Sequence, residues 1–481
     1  MKNFFISLLF CSVSAHLLSQ GTQFNFAYGN DGIDRGNNVV EGPGGNFYIV
    51  GSTSSSSTGN TDILVLCIDE NGAVLWTNSY GTAQTDIGID IIYTANNELL
   101  VLGQSNGIGQ GGYDIFLTKL TLDGAIIWEK TYGGDDWEFA WDMQDDTLGN
   151  FYIVGETYSF GEGNNDAYLL LVNSEGDVLI EKTFGTDGNE LFRKMDITND
   201  GDVVLIGDQK LSGNSFSNAW LMKVNAIGDE IWEFTRDLGE GYDEFGQDLV
   251  LIDNQIIAMS NFPDSPNAPY CSYWRMDESN AFLWERTIAN QILYGILKKN
   301  EISFVMTGET LDYNAFWFHM KQNDGWEVNA GGGPAEFDYD NGNGKDKFVN
   351  SLNTIDGGFI CVGETEVTVE GLTSVLVIKF DSLLTSQQEI DLANLPLAIV
   401  SVQQTASFSV YPNPSKDHIF IQSDNLNNKI TFELRNSTGS LVKKGLLLDS
   451  VINIDDLKPS IYFLTLFEDK VAIGTRKVSV K

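Results

Sequence analysis

Histidine, cysteine, proline and basic residues are all scarce in this chain. Its 481 residues include 3 His, 4 Cys and 9 Pro, and 28 Lys and Arg stand against 67 Asp and Glu, a formal net charge of −39. So acidic a surface repels phosphate groups, which disfavours nucleic acid and anionic membranes as ligands. With so few histidines and no Cys-x-x-Cys spacing, the sequence lacks the ligands of a zinc site and the residues of a histidine-based catalytic triad. Hydrophobic residues at 42% and aromatic residues at 12% exclude a disordered chain.

Long apolar runs are also missing. The run from Phe4 to Val13, behind Lys2, is shorter than the about 18 to 20 residues of a membrane helix, and no other stretch approaches that length. Its position predicts a signal peptide over residues 1–20, with a first core strand as the alternative, and no transmembrane segment. Loss of the signal would leave three distant cysteines, which we expect to be buried free thiols: Cys67, Cys271 and Cys361.

A pattern of 52 residues repeats along most of the chain. Its markers are a glycine that ends one hydrophobic run and a tryptophan in a later run: Gly51, Gly103, Gly155 and Gly207, and Trp76, Trp128, Trp232 and Trp284. The runs alternate and show no helical periodicity. Each unit has room for four short strands, which predicts one blade of a β-propeller, with the tryptophans packed between blades.

The repeat also predicts the number of blades and their closure. Counting the first glycine gives seven units, at Gly51, Gly103, Gly155, Gly207, Ser260, Gly308 and Gly363. One period before Trp76 and Tyr80 lie Phe24 and Tyr28, so a lone fourth strand begins the mature chain, and the seventh unit ends near Asp381 without one. We therefore predict an all-β fold, a seven-bladed β-propeller over residues 21–382 closed by the N-terminal strand, which hides an open sheet edge.

The turns before the tryptophans resemble those of known propellers. Residues 69–76 and 121–128 are similar to the tryptophan-docking turns of quinoprotein-like propellers, and residues 132–134 and 154–157 to the bacterial secreted β-propeller repeat. The resemblance covers roughly residues 22–382 and implies the fold. It implies no redox chemistry, because the sequence lacks the adjacent cysteine pair expected of a pyrroloquinoline quinone enzyme.

The last part of the chain differs in charge. Residues 405–481 hold 10 Lys and Arg and 8 Asp and Glu, a net charge of +2, so the acidity belongs to the propeller. Residues 383–403 break the repeat and predict a linker. Short strand patterns separated by Asn-rich turns then predict a small C-terminal β-sandwich over residues 404–481.

This C-terminal segment resembles the sorting domain of type IX secretion cargo. The similarity lies in residues 433–439 and 459–462 and in the residues that we predict as the sorting signal: Tyr411, Pro412, Asn413, Pro414, Lys477, Val478 and Lys481. Ser460 stands where the family commonly has glycine. In that family an outer-membrane translocon recognises the domain, so the resemblance implies the translocon as a partner and delivery to the outer cell surface or the medium.

Residues that break the repeat are the better candidates for a binding site, because the residues that contact a single ligand need not recur in all seven units. Trp137 and Trp141 replace Thr85 and Ile89 of the preceding unit, and Arg193 follows Trp141 by one period. Aromatic faces suit stacking on sugar rings, so these three residues are predicted to bind a ligand, with core packing as the alternative for both tryptophans. Four carboxylates keep the repeat and are expected to cap backbone amides rather than bind cations: Asp34, Asp86, Glu138 and Glu190.

An oxygen-rich stretch lies between the sixth and seventh units. Asp338, Asp340 and Asp346 alternate with Asn and Gly, a composition that can wrap Ca²⁺, although the EF-hand pattern is incomplete and such loops also occur without metal. Calcium is therefore an open possibility and no other cofactor is predicted.

The sequence favours a binding or adhesion module, secreted or on the cell surface, whose ligand is a glycan or a protein. It predicts no catalytic residue and, on balance, no enzyme. Two alternatives stay open: a glycan-active hydrolase or lyase with paired carboxylates in a central depression, and a structural surface component without a small ligand.

Overall fold

The computed structural model describes most of the first 380 residues and parts of the remainder. The described residues are 24–29, 32–54, 60–236, 241–253, 255–263, 270–310, 313–321, 335–337, 345–366, 373–380, 398–401, 409–411, 418–422, 430–436, 441–447, 451–455, 457–468 and 471–480. The chain divides into two compact units, residues 1–400 and 401–481. Within the described part, every element is a strand except a 3-10 turn at Pro43–Gly45.

The first unit consists of repeated antiparallel sheets. Its strands are β1 (Phe24–Gly29), β2 (Asp34–Glu41), β3 (Phe47–Thr53), β4 (Asp62–Ile68), β5 (Val74–Tyr80), β6 (Asp86–Tyr93), β7 (Glu98–Ser105), β8 (Asp114–Thr121), β9 (Ile126–Tyr132), β10 (Glu138–Asp145), β11 (Phe151–Thr157), β12 (Asp166–Val172), β13 (Val178–Phe184), β14 (Asn189–Ile197), β15 (Val203–Lys210), β16 (Asn218–Val224), β17 (Glu230–Arg236), β18 (Phe245–Ile252), β19 (Gln255–Phe262), β20 (Tyr270–Asp277), β21 (Phe282–Ala289), β22 (Gln291–Asn300), β23 (Ser303–Thr310), β24 (Ala315–Lys321), β25 (Ala335–Phe337), β26 (Asp346–Asn353), β27 (Phe359–Thr365), β28 (Ser374–Phe380) and β29 (Ala398–Ser401).

The order of these strands gives an all-β, propeller-like fold. Six sheets each consist of four consecutive strands, from β2–β5 to β22–β25, and a further sheet has the order β26-β27-β28-β1-β29. In that sheet β1 pairs antiparallel with β28, with Phe24 opposite Lys379 and Tyr28 opposite Val375. We call β2, β6, β10, β14, β18, β22 and β26 the inner strands. They pack against one another in chain order, and β26 also packs against β2.

Burial differs among the four strands of a sheet. Every residue of β3 and β4 is buried, as are those of β11 and β12. Strands buried on both faces are continuous hydrophobic runs, which is how these segments read in the sequence. The fourth strands, by contrast, alternate between exposed and half-buried residues, as in β9 and β17.

Repeated aromatic residues join neighbouring sheets. The hydroxyls of Tyr28, Tyr80 and Tyr132 donate to the carbonyls of Gly72, Gly124 and Gly176, each at 2.7 Å. The indole Nε1 of Trp76 donates to the Leu122 carbonyl at 3.1 Å, and that of Trp232 to the Glu278 carbonyl at 3.0 Å. The prediction that the repeated tryptophans pack between sheets is thus confirmed at these two positions.

The periodic glycine lies against a β-bulge in the neighbouring inner strand. A Cβ on Gly155 would lie 1.9 Å from the carbonyl oxygen of Phe139, and Gly51, Gly207, Gly308 and Gly363 are equally close to the equivalent carbonyls, at 1.8–2.0 Å. The pairing of β10 with β11 skips one residue immediately after this contact, between Ala140 and Asp142. Glycine recurs here because the backbone of the bulged strand occupies the space of a side chain.

The three cysteines are buried and free, as the sequence predicts. Burial raises the pKa of the Cys67 thiol to about 12. A thiol that stays protonated is a poor nucleophile, so Cys67 packs as a small apolar residue.

The second unit has a hydrophobic core of its own. Its strands are β30 (Ser409–Tyr411), β31 (His418–Gln422), β32 (Ile430–Asn436), β33 (Leu441–Leu446), β34 (Val451–Asn453), β35 (Ser460–Glu468) and β36 (Val471–Val480). They form two sheets, ordered β30-β31-β34 and β33-β32-β35-β36. Side chains from both sheets are fully buried in one cluster, among them Ile419, Leu434, Ile452 and Leu464.

Candidate functional site: a cavity between the inner strands

A cavity of about 460 Å³ lies where the inner strands converge. All seven inner strands contribute to its lining. In each strand one lining residue is the residue that the pairing skips at the bulge: Asn37, Ile89, Trp141, Arg193, Gln247, Tyr294 and Val349. A bulge places one extra residue in a strand and re-aims its side chain, so the same local irregularity delivers seven side chains to one cavity.

The seven bulge residues differ in chemistry although their backbones are equivalent. Asn37, Ile89, Trp141 and Arg193 are successive members of the 52-residue register. The scaffold thus repeats while the cavity lining does not, as expected of a site that holds one asymmetric ligand.

Arg193 is held in a fixed orientation beside the cavity. Its Nη2 contacts both carboxylate oxygens of Asp208, at 3.0 and 3.3 Å. Its guanidinium carbon lies 5.8 Å from the ring centre of Trp141 and 5.6 Å from that of Phe245. An ion pair from behind and an aromatic ring on two sides restrict the rotamers of this long side chain.

Three side-chain amides in the lining are oriented by backbone contacts. Asn37 donates from Nδ2 to the Gly88 carbonyl at 2.6 Å. Asn261 accepts from the Leu293 amide at 3.0 Å and donates to the Leu293 carbonyl at 2.7 Å. Oδ1 of Asn350 accepts from the Ser351 amide at 2.7 Å, which directs its Nδ2 away from this contact. Asn37 thus keeps its Oδ1 and Asn350 its Nδ2 for a ligand, whereas Leu293 engages both ends of the Asn261 amide.

A layer of buried charge connects the inner strands next to the bulges. Asp90 accepts a hydrogen bond from the Met143 amide at 2.9 Å and Asp142 one from the Met195 amide at 3.0 Å, in each case on the next inner strand. Asp248 accepts one from the Ile296 amide at 2.9 Å. Lys194 stands at the equivalent position of β14, where its Nζ lies 2.8 Å from Asp142 Oδ1.

Burial determines the ionisation of this layer. It raises the pKa of Asp90 to about 7, with the charge of Asp142 adding to the effect, and that of Asp248 to about 7 although Lys194 opposes the shift. Burial also raises the pKa of Asp208 to about 7 against the attraction of Arg193. For Lys194 burial acts to lower the pKa, but the carboxylates of Asp142, Asp248 and Asp90 outweigh it and raise the pKa overall. Lys194 is therefore the stable positive charge of the layer.

The structure brings together two of the three predicted ligand-binding residues. Trp141 and Arg193 line the cavity on adjacent inner strands. Trp137 immediately precedes β10, is 49% exposed and is not among the lining residues. It packs edge-on against Phe139 and Tyr158, with ring centres 6.0 and 6.1 Å apart. Trp137 thus belongs to a separate aromatic surface.

The other predicted positions lie elsewhere. Asp338 and Asp340 fall outside the described residues, whereas Asp346 is the first residue of β26 and is buried. Of the predicted sorting signal, Tyr411 lies in β30 and Lys477 and Val478 in β36, while Pro412, Asn413, Pro414 and Lys481 are outside the described part.

The repeated carboxylates accept hydrogen bonds from the backbone. Glu138 accepts from the Gly134 amide at 2.8 Å and Glu190 from the Thr186 amide at 3.0 Å. These amides belong to the turn that leads into the strand of each carboxylate, so the predicted capping of backbone amides is confirmed at these two positions. The carboxylates hold the turn before each inner strand.

The sequence hypothesis missed most of the lining. Asn37 and Ile89 could have been found by counting back from Trp141 in steps of 52 residues. Gln247, Tyr294 and Val349 could not, because changes in length displace the later units from that register. Only the strand pairing identifies these three as bulge residues.

Comparisons with known proteins identify the C-terminal part of the chain. Residues 409–481 match the family model of the secretion system C-terminal sorting domain. The domain implies recognition by the type IX secretion machinery, and it indicates that the protein is secreted or displayed on the cell surface. No curated protein matches the sequence. Among the described residues no helix is long and apolar enough to cross a membrane.

Several solved structures are similar at low sequence identity. PorZ of Porphyromonas gingivalis, a surface component of the type IX secretion system, is 12% identical with a TM-score of 0.42, over 92% of this chain and 59% of PorZ. The extracellular domain of a hybrid two-component system from B. thetaiotaomicron is 9% identical with a TM-score of 0.43, over 95% and 57%. The Pan2 WD40 domain of Neurospora crassa is 7% identical with a TM-score of 0.44, over 71% and 88%. This chain thus spans less than two thirds of the first two proteins, and its fold is assigned from its own strand pairing.

Proposed function

We propose that this exported protein is a binding module in which a seven-bladed β-propeller holds a saccharide-sized ligand in its central cavity. The propeller spans residues 21–382, is closed by the N-terminal strand, and is followed by a linker and a C-terminal β-sandwich that serves export. Pairing of β1 with β28 and packing of β26 against β2 support the closure.

The observation that carries the proposal is the convergence of seven chemically different bulge residues on one cavity. A structural hub would be served by the same residue in each blade, as the repeated Tyr-to-Gly bonds between sheets illustrate. The cavity volume of about 460 Å³ lies within the range of small-molecule sites.

The lining suits a sugar. Trp141, Phe245 and Tyr294 supply aromatic surface, and Asn37, Gln247, Asn261 and Asn350 supply side-chain amides. Aromatic rings pack on the apolar face of a sugar ring, and amides can both donate to and accept from its hydroxyls.

Binding is favoured over glycan hydrolysis by the absence of carboxylates from this lining. Hydrolysis needs a pair of carboxyl groups on either side of the scissile bond. The described residues that line the cavity include no Asp or Glu, and the nearby Asp208 is paired with Arg193.

The proposal is tested by screening the full-length secreted protein on a glycan array and comparing two tryptophan variants. Trp141→Ala removes an aromatic wall of the cavity and is expected to reduce binding at least tenfold. Trp137→Ala is the matched control, because Trp137 is an aromatic residue on the same segment that does not line the cavity.

Three results would count against the proposal. If the parent protein bound no glycan, glycans would be excluded as the class of ligand. Equal binding by the parent and Trp141→Ala would place the site elsewhere. Loss of binding in Trp137→Ala alone would assign it to the exposed aromatic surface of Trp137 and Tyr158.

A further inference from the structure

We infer that the ligand of the central cavity carries a carboxylate, and that Arg193 binds it; the ligand class is an acidic saccharide of the uronic acid type. This inference rests on the proposed saccharide site and specifies its ligand. It is drawn from the charges and the unused hydrogen-bonding groups of the lining.

Two basic side chains, and no described acidic one, line the cavity of this strongly acidic protein. The chain has a formal charge of −39, yet the lining contains Arg193 and Lys194, and among its described residues no Asp or Glu. A neutral ligand would require no such exclusion of carboxylates. An anionic ligand would, because a carboxylate in direct contact with it would be repulsive.

Two side-chain amides of the lining keep a hydrogen-bond donor for the ligand. Asn350 accepts through Oδ1 from Ser351, which leaves its Nδ2 hydrogens for a ligand. The Oε1 atom of Gln247 lies 3.5 Å from the side-chain nitrogen of Asn261. The Nε2 hydrogens of Gln247 therefore remain for a ligand. Tyr294 donates its hydroxyl hydrogen to Glu309 at 2.7 Å and Asn37 donates to the Gly88 carbonyl, so these two residues keep acceptors, which suit the hydroxyls of a sugar. The two amide donors and the guanidinium of Arg193 match a group with several lone pairs, such as a carboxylate.

The guanidinium of Arg193 keeps hydrogen-bond donors that its partner Asp208 does not use. Asp208 engages Nη2 alone, and within the described part of the chain Nε and Nη1 form no hydrogen bond. Both Nη1 and Nε therefore keep hydrogens that can donate to a ligand carboxylate, while Asp208, Trp141 and Phe245 hold the plane of the group. Asp208 is in this arrangement a positioning residue.

The carboxylates behind the lining do not cancel this preference. Asp142 is bound to Lys194 and Asp208 to Arg193, so each already holds a cation. Glu156 accepts from Asn165 Nδ2 at 2.7 Å. Their oxygens are directed to these partners, whereas the free donors are directed to the ligand.

The test compares sugars that differ only in charge. Full-length protein is titrated with D-galacturonate, its methyl ester and D-galactose, and with D-glucuronate and D-glucose, with binding followed by ligand-observed NMR at fixed ionic strength. The acids are expected to bind at least tenfold more tightly than the ester and the neutral sugars, because a charge-assisted hydrogen-bonded pair is lost with the charge.

Two substitutions identify the group responsible. Arg193→Gln keeps a side chain that can hydrogen-bond a sugar hydroxyl, and it is expected to abolish the preference for the acids over the neutral sugars. Lys182→Gln is the matched control, because it removes an exposed cation paired with Asp229 on an outer strand, and the preference should persist.

The outcomes separate this inference from the proposed function. Equal affinity for acids and neutral sugars, or a preference that survives Arg193→Gln, overturns the carboxylate assignment and leaves the saccharide site standing. A further outcome is that none of these monosaccharides binds although the glycan array shows ligands whose binding depends on Trp141. In that case neutral array ligands refute the carboxylate assignment, and acidic array ligands support it. An array without any ligand overturns both proposals.

Discussion

Asp142 and Lys194 occupy equivalent positions on adjacent inner strands and form an ion pair of 2.8 Å beside the central cavity. Asp142 also accepts a hydrogen bond from the Met195 amide at 3.0 Å. Asp90 and Asp248 are the other carboxylates at equivalent described positions, and neither forms an ion pair of its own there. Lys194 therefore compensates the charges of Asp90, Asp142 and Asp248, which lie in three different sheets. The remaining equivalent positions hold Asn38, Gly295 and Asn350, so Lys194 is the one cation of this layer against three carboxylates.

Replacement of Lys194 by Met should destabilise the propeller strongly. Removal of one partner from a buried ion pair leaves an uncompensated charge and costs about 3–5 kcal/mol. Urea unfolding measures the loss. Lys182→Met, which breaks the exposed pair with Asp229, should leave the free energy of unfolding nearly unchanged, because solvent screens this pair. Similar losses in both variants would show that the layer around Lys194 is well hydrated.

Gly155→Ala should disturb the bulge that carries Trp141. The new Cβ would lie 1.9 Å from the Phe139 carbonyl oxygen, so β10 and β11 must separate, at a cost of about 1–3 kcal/mol. Ligand binding should fall together with the melting temperature. Gly149→Asn is the control, since Gly149 has open space around it and a φ of +92° that Asn tolerates. Unchanged stability and binding in Gly155→Ala would contradict the role given to this glycine.

The protein should become more stable as the pH falls from 8 to 5. Burial raises the pKa of Asp90, Asp208 and Asp248 to about 7 in the folded state, above the about 3.9 of an unfolded chain. Between these values the folded state binds more protons than the unfolded state, so the free energy of unfolding decreases as the pH rises. Between pH 7 and pH 5 each group contributes at most about 3 kcal/mol, because one pKa unit corresponds to about 1.4 kcal/mol.

Melting temperatures at constant ionic strength measure this dependence. Asp248→Asn should flatten the pH profile, because it removes one titrating group. High salt distinguishes the buried groups from the overall repulsion of the −39 charge, since it screens exposed charges but not buried ones. A profile that rises towards pH 8 would refute the expectation.

Deletion of residues 402–481 should prevent the protein from reaching the outside of the cell. The deletion removes the matched sorting domain and none of the propeller strands. Immunoblots of surface and medium fractions measure export, and Trp141→Ala, which leaves the sorting domain intact, should be exported like the parent. Undiminished export of the truncated chain would show that another segment directs it.

The sequence determined the repeated part of this protein by itself. Alternating hydrophobic runs, a glycine every 52 residues and the recurring Trp and Tyr are local features, and their repetition is enough to predict β-sheets of four strands that dock through these residues. The sorting domain was equally accessible, since its motifs occur in order within one short segment. Trp141 and Arg193 could be singled out because they depart from the repeat.

Tertiary structure alone decided which side chains meet in the cavity. Successive residues of a strand point to opposite faces, and each bulge shifts this alternation by one residue, so the direction of a side chain depends on the pairing register. For this reason Trp141 faces the cavity while Trp137, four residues earlier, lies at the surface. Gln247, Tyr294 and Val349 join the same lining from units of altered length, because packing aligns strands by their hydrogen bonds and not by their sequence numbers.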